Sequence, residues 1–157
     1  MSELQPKKVS ESITKMVHIV FPGDCNGQGR LFGGRLMEWM DVIAGIVARR
    51  HANRPITTAS VDNLQFKGPA HTNDTIVLRG KVTYVGTTSM EVRVDVYTEA
   101  LDGTRKRINT AYFTEVALDE NERPTAVPGL ICETEEEKQE FEAGKERKRV
   151  KLATWTR

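Results

Sequence analysis

Gly33-Gly34-Arg35-Leu36-Met37-Glu38-Trp39-Met40-Asp41-Val42-Ile43-Ala44-Gly45-Ile46-Val47-Ala48-Arg49-Arg50-His51 is the stretch from which the fold is read. Its large apolar residues cover most of the circumference of a helix from Trp39 onward. A helix apolar nearly all round belongs in a core, so the pattern predicts a central helix over 34–51, buried on most sides. Glu38, Asp41, Gly45, Ala48 and Arg49 interrupt it as a polar or small stripe at helical spacing. Arg49-Arg50-His51 closes it with cations, where the helix dipole favours them.

Working outward, residues up to about 11 read as a disordered lead-in, and 12–20 as a strand. Phe21-Pro22-Gly23-Asp24-Cys25-Asn26-Gly27-Gln28-Gly29 is a loop by composition. After the helix, strands are predicted over 57–67, 75–85, 89–99 and 106–118. In the third of these, Met90, Val92, Val94 and Val96 alternate with Glu91, Arg93, Asp95 and Tyr97, the mark of a sheet with one wet face. Asp102-Gly103 signals a hairpin. The last strand sets Ile108, Thr110, Tyr112, Thr114 and Val116 on one face. From Thr134 the chain reads as a solvated helix, with Thr134 and Glu137 at capping-box spacing. The order gives an α+β domain over 12–130, an antiparallel sheet of about five strands wrapped around one helix. A charged C-terminal helix or tail follows over 131–157.

Charge and composition narrow the function classes. The 23 basic and 22 acidic residues leave a formal net charge of +1, so no electrostatic field calls for nucleic acid or an anionic membrane as partner. No apolar run approaches the roughly 20 residues of a membrane span. Residues 1–10 lack the apolar region of a signal peptide. Two cysteines, Cys25 and Cys132, make no disulfide framework. The expectation is a cytoplasmic protein.

Three features carry chemistry. Asp41 stands between Met40 and Val42 in the most apolar helix, where burial of a carboxylate is costly unless it is paired or used. Desolvation would raise its pKa toward that of a general base. It also fits a solvated stripe with Glu38, or pairing with Arg35 or Arg49. Gly33-Gly34 opens the helix, where free amides and the dipole form a natural oxyanion hole. Asn26, in the loop just before, offers a donor and an acceptor. Gly27-Gln28-Gly29 with Gly33 misses the dinucleotide fingerprint by one residue. Cys25 beside His18 or His51 is a weak nucleophile candidate, and His18, His51 and His71 lack metal-ligand spacing.

The run from Phe21 to Gly34, followed by Met40-Asp41, resembles the hotdog-fold acyl-CoA hydrolases, small bacterial thioesterases and the domains of animal cytosolic hydrolases. Thr58 to Asp62, Gly86 to Glu91, Ala111 to Thr114, Pro124 to Pro128 and the acidic Glu133 to Glu137 are similar too. The resemblance implies an acyl-CoA thioesterase that releases fatty acid and coenzyme A. Coenzyme A is then part of substrate and product, and neither cofactor nor metal is required. It implies Asp41 as general base or nucleophile, Asn26 orienting water or carbonyl, and the Gly34 amide as oxyanion donor. Asn26 and Asp41 would come from opposite subunits of a homodimer, commonly assembled as a trimer of dimers. Gly86, Thr87, Thr88 and Ser89 match a segment near bound coenzyme A. Trp39, Met37 and Phe66 are candidate walls for the acyl chain. The alternatives are a non-catalytic acyl-CoA or nucleotide-binding regulator on this fold, and a hotdog dehydratase, which would want a histidine that the loop lacks.

Overall fold

The computed structural model describes residues 4–155. Its elements are β1 (Lys7–Lys8), β2 (Thr14–Ile19), α1 (Gly33–Ala52), β3 (Ile56–Phe66), β4 (Thr75–Val85), β5 (Ser89–Glu99), β6 (Arg105–Ala117), β7 (Leu130–Ile131) and α2 (Glu135–Trp155). β2, β4, β5, β6 and β3, in that order, form one antiparallel sheet. It curves around α1 as the hotdog fold.

The sheet closes on α1 through one face. Met40, Ile43, Ala44, Val47 and Ala48 of α1 are fully buried with Ile76 and Leu78 of β4, Val92, Val94 and Val96 of β5, and Ala111 and Phe113 of β6. Gly80 marks the closest approach: a Cβ there would stand 2.9 Å from Val47 Cγ2 and 3.5 Å from Ile43 Cγ1. Gly80→Ala is therefore expected to cost about 1–3 kcal/mol by overpacking, read as a lower midpoint in urea with an unchanged slope. α1 ends at Asn53, whose left-handed φ of 55° lets its amide bond the Arg49 carbonyl.

α1 is less enclosed than its composition predicts. Asp41 and Val42 are exposed, Val42 at 47%. The sheet covers one side of the helix and leaves a stripe through Gly34, Glu38, Asp41 and Val42 open. β3, an outer strand of the sheet, flanks this open stripe through Thr58.

Two terminal expectations are corrected. The lead-in is ordered from Lys7: β1 pairs in parallel with β7, and Val9 is buried. Lys7 Nζ donates 2.8 Å to the Arg50 carbonyl, placing a cation at the C-terminal end of α1. Residues 1–3, also assigned to the lead-in, lie outside the described residues. The C-terminal helix does not simply stand in solvent; it lies on the outer face of the sheet. That face is polar, so docking runs through ion pairs, which apolar periodicity does not reveal. Lys81 meets Glu140 at 2.7 Å, Arg147 meets Glu91 at 2.7 Å, and the Arg147 guanidinium sits 3.9 Å above the Tyr112 ring. Tyr84 packs on Phe141 beside Gly144, where a Cβ would come within 2.7 Å of Tyr84 Cβ. The expected cap is present, with the Glu137 amide bonded to Thr134 Oγ1 at 3.1 Å.

Candidate active site

Asp41 projects from the open stripe of α1 toward β3. Its Oδ1 accepts a 2.8 Å hydrogen bond from Thr58 Oγ1. The same hydroxyl oxygen lies 3.0 Å from both Oε1 and Oε2 of Glu115. Thr58 and Glu115 face each other in the β3–β6 register, so two adjacent strands hand two polar groups to one helical carboxylate. Asp41 is exposed rather than buried, and the desolvation expected for it falls on Glu115 instead. Glu115 is wholly buried. Burial pushes its pKa up to about 7, against the Thr58 hydrogen bond, and the nearby Asp41 charge adds to the rise.

Glu115 was not legible as a site residue. The strand pattern draws attention to 108, 110, 112, 114 and 116, but Tyr112, Thr114 and Val116 are only half-buried, on the face toward α2. The face toward α1 is 109, 111, 113, 115 and 117, all fully buried. The available signal was a glutamate in phase with Ala111, Phe113 and Ala117. The raised pKa also has a stability consequence. Between pH 4.5 and about 7 the folded state holds a proton that the unfolded state releases, so Glu115 stabilises less as pH rises. Glu115→Gln does not titrate. The wild-type protein is therefore expected to lose up to about 3 kcal/mol relative to Glu115→Gln between pH 4.5 and 8, measured by urea unfolding of both.

Gly34 lies elsewhere. The first α1 turn bonds the Arg35 and Leu36 amides back to the Phe32 carbonyl at 3.0 and 3.1 Å. Among the described residues the Gly33 and Gly34 amides have no such partner, as expected of helix N-termini. A Cβ on Gly34 would stand 2.5 Å from the Phe32 ring. Gly34 precedes Asp41 by seven residues, about 10 Å along the helix axis. The two groups are therefore not adjacent within one chain.

Asn26 turns its acceptor inward. Its Oδ1 takes hydrogen bonds from the Gln28 amide at 2.9 Å and the Arg30 amide at 3.3 Å. Only the Nδ2 donor remains for a ligand, which favours a carbonyl oxygen over orientation of water as partner. Gly86, Thr87, Thr88 and Ser89 form the β4–β5 turn, closed by the Gly86 amide on the Ser89 carbonyl at 2.8 Å. Lys148 of α2 reaches over this turn and donates to Ser89 Oγ at 3.4 Å. Met90, next in chain, is opposite Glu115 in the β5–β6 register, so the turn borders the carboxylate cluster.

The other candidates resolve into structure. Cys25 Sγ contacts the Phe21 carbonyl at 3.5 Å and Thr72 Oγ1 at 3.4 Å. His18 stacks on Trp39 with centroids 4.2 Å apart, which occupies one proposed acyl-chain wall. Phe66 is 57% exposed, with its ring 3.7 Å from a Cβ placed on Gly33. His51 is buried with its Nε2 2.8 Å from the Pro128 carbonyl, and burial lowers its pKa. Among the described residues no three His, Cys, Asp or Glu side chains converge to hold a metal ion, and no helix is long and apolar enough to cross a membrane.

The thioesterase superfamily profile matches residues 28–102. An uncharacterized acyl-CoA thioester hydrolase of Bacillus subtilis is 48% identical over 119 residues, covering 75% of this chain and 69% of its own length. The cytosolic acyl coenzyme A thioester hydrolase of Rattus norvegicus is 40% identical over 146 residues, covering 91% of this chain. This chain spans only 38% of that relative's length. Among solved structures, an acyl-CoA hydrolase of Staphylococcus aureus, in complex with butyryl coenzyme A, coenzyme A and coenzyme A disulfide, superposes with a TM-score of 0.90. It is 35% identical, over 96% of this chain and 92% of that one. Alanine variants of that hydrolase at an aspartate, an asparagine and a threonine have been solved as well. A hexameric acyl-CoA thioesterase in its apo form has a TM-score of 0.91 at 38% identity, over 96% of this chain and 97% of that one. With these identities and coverages, the chain belongs to the thioesterase superfamily, within its hotdog-fold acyl-CoA hydrolases.

Proposed function

We propose that this protein hydrolyses acyl-CoA thioesters to a fatty acid and free coenzyme A, at a site built from two chains. The observation that carries the reading is the exposed Asp41 carboxylate, held at 2.8 Å by Thr58 on the side of α1 that the sheet leaves open, where a second chain can cover it. The oxyanion donors, Gly34 and Asn26 Nδ2, belong to one subunit and the Asp41–Thr58 pair to its partner.

In this reading the thioester oxygen faces the Gly34 amide and the Asn26 amide group, which stabilise the charge developing on it. Asp41 accepts a proton from water as the water oxygen bonds the carbonyl carbon. The C–S bond then breaks, and the sulfur leaves with the proton Asp41 had accepted. In the alternative, the carboxylate attacks directly, and the C–S bond breaks as a mixed anhydride forms. Coenzyme A leaves as a thiolate that takes a proton from water, and a water then opens the anhydride to fatty acid and free Asp41. Either route uses carboxylate, amide and backbone groups alone. Support for the residue choice comes from the S. aureus hydrolase, studied with alanine at an aspartate, an asparagine and a threonine.

The proposed assembly is a homodimer that covers the open stripe of α1 and pairs the β3 edge, with three dimers forming a hexamer. The hexameric relative supports this state. Residues 12–130 would form the catalytic body, and 131–157 would add Lys148 over the Gly86–Ser89 turn, where coenzyme A phosphates would meet a cation. Lys148→Ala is expected to raise KM for acyl-CoA about tenfold with kcat little changed, as for loss of one charged contact. A cytoplasmic location follows the cytosolic rat relative. The test is thiol release from acyl-CoA substrates of graded chain length. Release with any of them supports hydrolysis, and the panel supplies the chain preference. Binding of coenzyme A with no release from any of them would replace hydrolysis with the regulator reading.

A further inference from the structure

A single hydroxyl proton cannot serve three carboxylate oxygens. Thr58 Oγ1 is within 3.0 Å of Asp41 Oδ1 and of both oxygens of Glu115. If both acids were ionised, two charges would compete for one donor, and among the described residues no cation forms an ion pair with either. Among the described residues, no lysine, arginine or histidine pairs with Glu115. The groups that face it are Thr58 from β3, Asp41 from α1 and, in register on β5, the apolar Met90. Asp41 is exposed and Glu115 is wholly buried, so the proton belongs on Glu115.

We propose that Glu115 is a positioning residue: its carboxylic acid donates to Thr58 Oγ1, which turns the Thr58 hydroxyl proton onto Asp41. The chain of donors runs one way, from Glu115 through Thr58 to Asp41. It fixes the rotor of Thr58 and holds Asp41 as a hydrogen-bonded carboxylate aimed from α1. The inference rests on the reading of Asp41 as the reactive carboxylate, and it adds a residue that the charge pattern of the sequence hides. It also makes the site pH-sensitive. When Glu115 ionises, near pH 7, the chain loses its first donor, and Asp41 gains a negative neighbour and shares its hydrogen bond.

Two measurements test this. The first is a carbon-13 carboxyl NMR titration of the full-length protein, with the Glu115 resonance assigned by its loss in Glu115→Gln. A midpoint near neutrality is expected. A midpoint among ordinary glutamates, near 4.5, would overturn the proposal whether or not the protein hydrolyses anything. The second is kcat against pH for wild type, Glu115→Gln and Glu115→Leu. Wild-type turnover should fall about tenfold across an inflection near pH 7, the worth of one misplaced hydrogen bond. Glu115→Gln, whose amide still donates to Thr58, should keep most of its pH 6 turnover and lose the inflection. Glu115→Leu should be low throughout. A Glu115→Gln profile superimposable on wild type contradicts the proposal. Full activity in Asp41→Ala would sink the reading of the site separately, leaving the NMR arm to decide the protonation of Glu115.

Discussion

Asp41→Asn is expected to lower acyl-CoA turnover by about 10²–10⁴-fold, the range supplied by a positioned general base. The substitution keeps the shape and the acceptor oxygen that Thr58 Oγ1 meets at 2.8 Å, so folding and coenzyme A binding should survive. What it removes is the basic oxygen. KM should move little and kcat should carry the loss, the signature of an interaction made in the transition state. The measurement is thiol release under saturating substrate. Single turnover of wild type in oxygen-18 water detects one branch of the second route. Label in the Asp41 side chain requires a mixed anhydride opened at the aspartyl carbon, whereas label in the fatty acid alone fits direct water attack or opening at the acyl carbon.

The fold was legible because its signals are local. The apolar run from Leu36 to Val47 makes a core helix, and the alternation from Met90 to Tyr97 makes a strand with one apolar face; both elements are observed, but α2 rather than water covers the polar face of that strand. The hairpin at Asp102-Gly103 follows from the left-handed φ of 89° that Gly103 adopts. What was not legible depends on partners distant in sequence. The docking of α2 uses Lys81, Glu91 and Tyr112 on the outer sheet face, and charge pairs across elements leave no periodic trace. The order of the first strand depends on Lys7 reaching the end of α1 and Val9 filling a core slot. Asp41 stood out because an acid interrupts an apolar helix, but its burial was misjudged: apolarity on most sides of a helix does not say which side the sheet leaves open. Glu115 was hidden by the opposite error, since the eye follows the β-branched and aromatic face of β6 while the small-residue face meets α1. Asn26 and Gly34 read correctly as a loop polar group and a helix start; the proposal that their partner carboxylate belongs to another chain follows from the resemblance, since no spacing rule supplies it.

The most direct test of a site shared between chains is activity in mixed assemblies of two inactive variants. Asn26→Ala and Asp41→Ala are each expected to be nearly inactive, because in each homodimer both sites carry the same defect. In a mixed dimer one site receives both substitutions and the other receives neither. After denaturation and refolding of an equimolar mixture, half the dimers are mixed and half their sites are intact, so about a quarter of wild-type turnover should return. The two proteins refolded separately and then combined serve as the control. Recovery to about that level, with thiol release as the readout, is the expected result. Mixed dimers that form, shown by two distinguishable affinity tags in one assembly, yet recover no activity above the separate variants would contradict a site that draws Asn26 and Asp41 from different subunits.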